Sequence, residues 1–175
     1  MISYDEYLCD IKAILINNDL WRLDGEAIKY SGSITVPDVT SIINDVAMDY
    51  NSSIDDDLVY TKEPNAHLQI VIQYCKIYSV PTIYFTVVSI HGVIFEPDYI
   101  WRHVFHGTDF VGKISYEQYV SSDGTTRRML RLHPCTTKSI LAGVQCSSNK
   151  TADLLNILLR DFIAFDNNIY LQMRK

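Results

Sequence analysis

The sequence predicts an α+β domain with an antiparallel sheet, on three observations. Leu68, Ile70 and Ile72 alternate with Gln69, Val71 and Gln73, and this run continues through Tyr74. A second β-rich run, 82–90, follows after the short link Tyr78-Ser79-Val80-Pro81. Two such runs so joined should pair as an antiparallel hairpin at the middle of a sheet. The elements run helix, strands, helix, a central β meander and then helices at the end, an order that segregates the helices to one face or end of that sheet.

The elements follow in order. Ser3-Tyr4-Asp5-Glu6 fits a capping box, and Ile2 with Tyr7 can staple it. Tyr7, Leu8, Ile11, Ile14 and Leu15 then share one helical face, until Asn17-Asn18-Asp19 ends the helix. Residues 20–23 and 28–30 read as short strands around Asp24-Gly25-Glu26, since Asp-Gly is a hairpin signal. The stretch 28–36 is expected to offer an exposed edge to a partner strand. Pro37-Asp38 starts a further helix with Val39, Ile42, Ile43, Val46 and Ala47 as its stripe. Asn51 to Asp57 reads as a solvated acidic loop, because no EF-hand spacing accompanies its three aspartates.

Glu96-Pro97-Asp98 opens a short helix ending at Gly107. Its His103 and His106 have no third ligand at matching spacing and read as surface residues. Ile114 to Val120 is extended, and Asp123-Gly124 turns the chain into a strand over 128–133. After a helix carrying Ile140, Leu141 and Val144, a loop at 147–150 leads to the last helix. That helix bears Leu154, Leu155, Leu158, Leu159, Phe162 and Ile163. Without repeats, low-complexity tracts or linkers, residues 1–175 form one domain.

Composition narrows the function. A net charge of −6 with no basic stripe argues against nucleic acid as the main partner. No apolar run reaches the roughly 18 residues of a membrane span. The N-terminus lacks a basic leader, and Cys9, Cys75, Cys135 and Cys146 form no CxxC pair, so reduced thiols in the cytosol are expected. Nothing in the sequence points to a bound cofactor.

The stretch with chemistry in it is Arg131-Leu132-His133-Pro134-Cys135-Thr136-Thr137. Pro134 stops the strand, and Thr136 or Thr137 can cap the helix that follows. Cys135 then sits at a helix N-terminus, where unpaired N–H groups and the dipole favour a thiolate. Arg131 and His133 can add positive charge. Position alone leaves two readings open, a nucleophile or a small buried hydrophobe.

His133-Pro134-Cys135, entered from an apolar strand and followed by Thr136, resembles the active-site motif of the autophagy ubiquitin-conjugating-like enzymes. Two upstream blocks agree. Tyr74 to Phe85 resembles the family's Tyr…Tyr-x-x-Pro hairpin, and Ile100-Trp101 with Ile114 to Gln118 resembles its next helix and extended run. The likeness covers roughly residues 66 to 146. It implies a ubiquitin-conjugating-enzyme-like fold, with helices packed on one face and at the end of the sheet. It also implies a transferase that takes a ubiquitin-like modifier from an activating (E1-like) enzyme as a thioester on Cys135.

The family has two sister groups, one conjugating a protein-type modifier to a protein and one conjugating its modifier to phosphatidylethanolamine. The chain's length, and the lack of a large acidic insertion, favour the first. On that reading the modifier is autophagy-related protein 12 and the acceptor a lysine of autophagy-related protein 5. The location is cytoplasmic and peripheral at the autophagosome assembly site. Ubiquitin-conjugating enzymes use a His-Pro-Asn asparagine that this sequence lacks. The resemblance nominates Tyr74 and His133 in its place, with Tyr78 as fallback for Tyr74. Two other classes compete: a non-catalytic binder of a ubiquitin-like protein, and a cysteine hydrolase pairing Cys135 with a remote histidine such as His91.

Overall fold

A computed structural model describes residues 1–34, 36, 65–95, 100, 114–144 and 148–162, with the backbone alone for 159–162. Helix α1 (Tyr4–Asn17) precedes strands β1 (Trp21–Asp24), β2 (Ala27–Ile34), β3 (Ala66–Cys75), β4 (Val80–Ser89), β5 (Ile114–Val120) and β6 (Thr126–Leu132). Helices α2 (Pro134–Gly143) and α3 (Lys150–Phe162) close the described chain. The six strands form one antiparallel sheet in the order β1-β2-β3-β4-β6-β5. The predicted α+β class is what the structure shows, and its architecture agrees with a ubiquitin-conjugating-enzyme-like fold.

Helix α1 starts as its sequence dictates. The Glu6 N–H donates to Ser3 Oγ at 3.1 Å, and the Ser3 N–H donates to Glu6 Oε2 at 2.6 Å. Ile2 and Tyr7 are both buried beside this box. Tyr7, Ile11 and Ile14 pack with Leu154, Leu155 and Leu158 of α3 over Leu68, Ile70, Ile72, Ile83, Phe85, Leu130 and Leu132 of the sheet. Burying such a side chain contributes about 1.5–3 kcal/mol. The helical core therefore lies on one face.

The second face holds a smaller cluster of Ala27, Val71, Tyr119 and Met129, with Tyr84 against it. Strand β6 pairs with β4 only at Tyr84↔Arg131 and Phe85↔Leu130. The β5–β6 hairpin then bends across this face. Tyr119 Oη donates to Asp24 Oδ2 at 2.9 Å and the Ser122 N–H to Asp24 Oδ1 at 2.9 Å, although β1 and β5 are opposite edges of the sheet. Strand alternation does not reveal such a curl.

The β3–β4 hairpin runs in unbroken register from Ala66↔Ser89 to Cys75↔Val80, with Pro81 inside β4 rather than before it. Pro81 is tolerated because β6 pairs with β4 only from Tyr84 onward. The edge expected over 28–36 is partly covered. Strand β1 reaches back along β2 to Trp21↔Tyr30, because the Asp24-Gly25-Glu26 turn is tight and Gly25 takes φ +63°. Only residues 31–34 pair on one side. The expected helix over Pro37 to Ala47, the acidic loop at 51–57, His103, His106, Cys146 and Ile163 lie outside the described residues. No helix among the described residues is long and apolar enough to cross a membrane.

Candidate active site at the β6–α2 junction

Strand β6 ends at Leu132 and α2 begins at Pro134, so His133 alone joins them. Its carbonyl accepts the Thr136 N–H at 2.9 Å. Pro134 fills the first helical position, where its fixed φ suits the turn and its missing N–H is no loss. The next N–H is that of Cys135, which donates to His133 Nδ1 at 3.1 Å. A backbone N–H can only donate, so Nδ1 is the unprotonated nitrogen and the neutral ring carries its proton on Nε2.

The imidazole is thus the cap. Thr136 and Thr137, expected in that role, are buried inside the first turn because Pro134 starts the helix three to four residues sooner. Cys135 is an exposed free thiol on that turn, so it is not a buried hydrophobe. The first turn of α2 contains no acidic residue.

Arg131 does not lend Cys135 a free charge. Its Nη1 donates to Glu117 Oε2 at 2.6 Å, and the guanidinium lies 5.7 Å from the Tyr84 ring centre. Burial is the largest influence and works against the Arg131 charge, but the Glu117 hydrogen bond and the nearby Tyr84, Glu117 and Cys75 groups together outweigh it and hold the guanidinium above its ordinary value. Burial likewise pushes the Tyr84 phenol up.

Tyr78, in the turn between β3 and β4, sets its ring edge-on to His133 with centroids 5.9 Å apart. The neighbouring Ser79 takes φ +52°, a left-handed conformation that costs a non-glycine residue on the order of 1–3 kcal/mol. The Ser79 carbonyl accepts the Ile2 N–H at 3.2 Å. The Ile2 carbonyl in turn accepts from Tyr74 Oη at 2.9 Å. The Tyr74 ring packs 5.4 Å from those of Tyr4 and Tyr7.

Of the three nominated residues, Cys135 and His133 are in direct contact. Tyr74 lies on the helix-bearing face with its hydroxyl engaged by Ile2, and Tyr78 is the tyrosine that meets His133. The sequence signal for Tyr78 is its place at the head of Tyr78-Ser79-Val80-Pro81, four residues after Tyr74, where the resemblance already offers it as the fallback. His91 sits in the turn just past Ser89, at the end of β4 remote from the Val80 end. A ten-residue strand is about 30 Å long, so His91 is no base for Cys135. Among the described residues no group of three or more His, Cys, Asp or Glu is arranged to hold a metal ion.

Residues 10–165 match the model of a known family, the autophagocytosis associated protein, active-site domain. The chain belongs to this family. The match includes the β3–β4 hairpin, the β5–β6 hairpin and the junction that carries Cys135. The comparison with curated proteins returned no match. As a member of the autophagocytosis associated active-site family, the protein is an E2-like enzyme of autophagy that conjugates a ubiquitin-like modifier. Its partners are an E1-like enzyme and that modifier.

Proposed function

We propose that Cys135 carries the modifier, and that the modifier is autophagy-related protein 12, passed on to a lysine of autophagy-related protein 5. The Cys135 thiolate attacks the thioester carbonyl held by the activating enzyme. A new S–C bond forms, the old one breaks, and the activating enzyme's thiolate leaves. The acceptor lysine, as free amine, then attacks the Cys135 thioester. An isopeptide N–C bond forms, the Cys135 thiolate leaves, and the amine loses its extra proton.

Each step passes through an oxyanion that needs a donor. The Nε2–H of neutral His133 is the donor we assign. A direct donation by Tyr74 requires its bond to the Ile2 carbonyl to open first. The observation that carries the proposal is an exposed thiol on the first turn of a helix capped by a neutral imidazole. The absence of a large acidic insertion between residues 10 and 165 supports a place with autophagy-related protein 10 rather than with the sister enzyme that modifies phosphatidylethanolamine. We place the enzyme in the cytoplasm, peripheral at the autophagosome assembly site.

The test is a loading reaction with activating enzyme, ATP and modifier, resolved on reducing and non-reducing gels. A higher-mass band that reductant removes and Cys135→Ala never forms is expected. Cys135→Ser should give a band that survives reductant, an oxyester. No band beside a demonstrably charged activating enzyme overturns the thioester. Charging by the lipid-type modifier in preference to autophagy-related protein 12 overturns the group assignment.

A further inference from the structure

A phenol has one proton to give, and that of Tyr74 is given to the Ile2 carbonyl. The Ile2 N–H holds Ser79, Tyr78 sits next to Ser79 in the same turn, and Tyr78 packs on the ring that caps Cys135. We propose that Tyr74 is a positioning residue for Cys135, acting through Ile2, the β3–β4 turn and His133. The proposal rests on Cys135 being the thioester cysteine.

The two ends of this path differ in rigidity. Tyr74 stands on a fixed base: its ring packs on Tyr7, whose hydroxyl shares its one proton between the Glu26 and Ile72 carbonyls, 3.1 and 3.0 Å away. Tyr7 is fully buried. His133, at the other end, is exposed, and a side-chain rotation would take Nδ1 away from the Cys135 N–H. The Tyr78 ring is what restricts that rotation.

The turn between them is held in a conformation that serine does not favour, with φ +52° at Ser79. Such a conformation persists only where its surroundings impose it. Here the imposing group is Ile2, tied at its N–H to the turn and at its carbonyl to Tyr74. Freed from Ile2, the turn relaxes, Tyr78 moves off His133, and the cap over Cys135 loosens.

The experiment separates positioning from direct catalysis. Solvent exchange of the Cys135 amide is followed by NMR, and single-turnover loading is measured against the concentration of charged activating enzyme. The variants are Tyr74→Phe, which removes the hydroxyl, and Ile2→Pro, which keeps the hydroxyl but removes the N–H that holds Ser79. Both should speed Cys135 amide exchange and lower the maximal loading rate about fivefold, as loss of one hydrogen bond of ordinary net strength does. The half-saturating concentration should not move.

Slower loading in Tyr74→Phe with unchanged Cys135 exchange makes Tyr74 a direct donor and overturns the proposal. So does an Ile2→Pro variant that is folded and normal in both readouts, or a Tyr74→Phe variant normal in both. Should the unmodified protein form no thioester at Cys135, the cysteine reading fails by itself. Amide exchange still reports whether Tyr74 governs the cap.

Discussion

Helices α1 and α3 begin among carboxylates; helix α2 does not. In α1 the Ser3–Glu6 box is joined by Asp5 in the first turn. Helix α3 has Asn149 Oδ1 accepting the Ala152 N–H at 2.7 Å, Asp10 Oδ2 accepting the Thr151 N–H at 2.9 Å, and Asp153 in its first turn. All three helices face the same problem, N–H groups without intrahelical partners. Carboxylates answer it best, because they also meet the positive end of the dipole, typically for 0.3–1 kcal/mol. At α2 the acceptor is a neutral imidazole instead. A carboxylate there would repel a thiolate at Cys135 and the oxyanion formed beside it. The junction forgoes the stronger cap and keeps the field at the sulfur positive.

Exchanging the caps breaks this comparison most sharply. His133→Asp should retain or improve the start of α2, leaving the melting temperature level or higher. Thioester loading should fall about ten- to hundredfold, because a carboxylate repels the attacking thiolate and the Nε2–H donor is lost. His133→Asn, neutral and able both to accept the Cys135 N–H and to offer an amide N–H in place of Nε2–H, should keep most of the rate. Equal rates for the Asp and Asn variants would show that charge at the cap is irrelevant to the chemistry.

The converse case is Asp10, which is buried and serves α3 from the middle of α1. Its own carbonyl also accepts from Asn149 Nδ2 at 2.9 Å, so it fastens the α1–α3 contact at two points. Asp10→Ala leaves the Thr151 N–H unpartnered and should destabilise the fold by about 1–3 kcal/mol. For a chain of this size each kcal/mol corresponds to a fall of about 2–4 °C in melting temperature. Loading per folded molecule should be unchanged. A loading defect in the folded fraction would mean that the two kinds of cap do not divide the work as argued.

These two residues also mark what the sequence makes legible. Local chemistry is readable: the Ser3–Glu6 box, the β3–β4 hairpin, β5, and the strand-to-helix step at Pro134 all follow from a few adjacent residues. The motif His133-Pro134-Cys135 and its flanking blocks carried the family, which the match over residues 10–165 shows. Contacts between distant segments are not readable. Asp10 looks like one more polar residue on the back of α1, and its partner lies 141 positions away. The bond from Tyr74 to Ile2 spans 72 positions, and the curl that brings Tyr119 to Asp24 spans 95. The Thr136 or Thr137 cap failed for a nearer reason. Capping preference ranks side chains by type, whereas here Pro134 and an imidazole two residues before the first free N–H decided the start.

The smallest effect belongs to Asp123, a carboxylate that caps a turn rather than a helix. Asp123 Oδ1 accepts from Ser121 Oγ at 2.7 Å and from the Thr125 N–H at 2.8 Å, closing the β5–β6 hairpin. The Ser121 hydrogen bond, followed by that of Thr125, holds its carboxyl down to about 2. An unfolded aspartate titrates near ~3.9. The folded value is the lower one, so this stabilisation is fully present above about pH 4 and is lost as pH falls from about 4 to about 2. Asp123 is fully exposed and screened, which keeps the contribution small. Urea unfolding of the wild type and Asp123→Asn at pH 6, 4 and 2 checks it, since Asn cannot titrate. Their difference should be steady from pH 6 to about 4 and shrink toward pH 2. A gap that stays constant to pH 2 would mean that the geometry of the acceptor, not its charge, closes the turn. The avoidance of charge at α2 for the sake of Cys135 would then rest on the His133→Asp result alone.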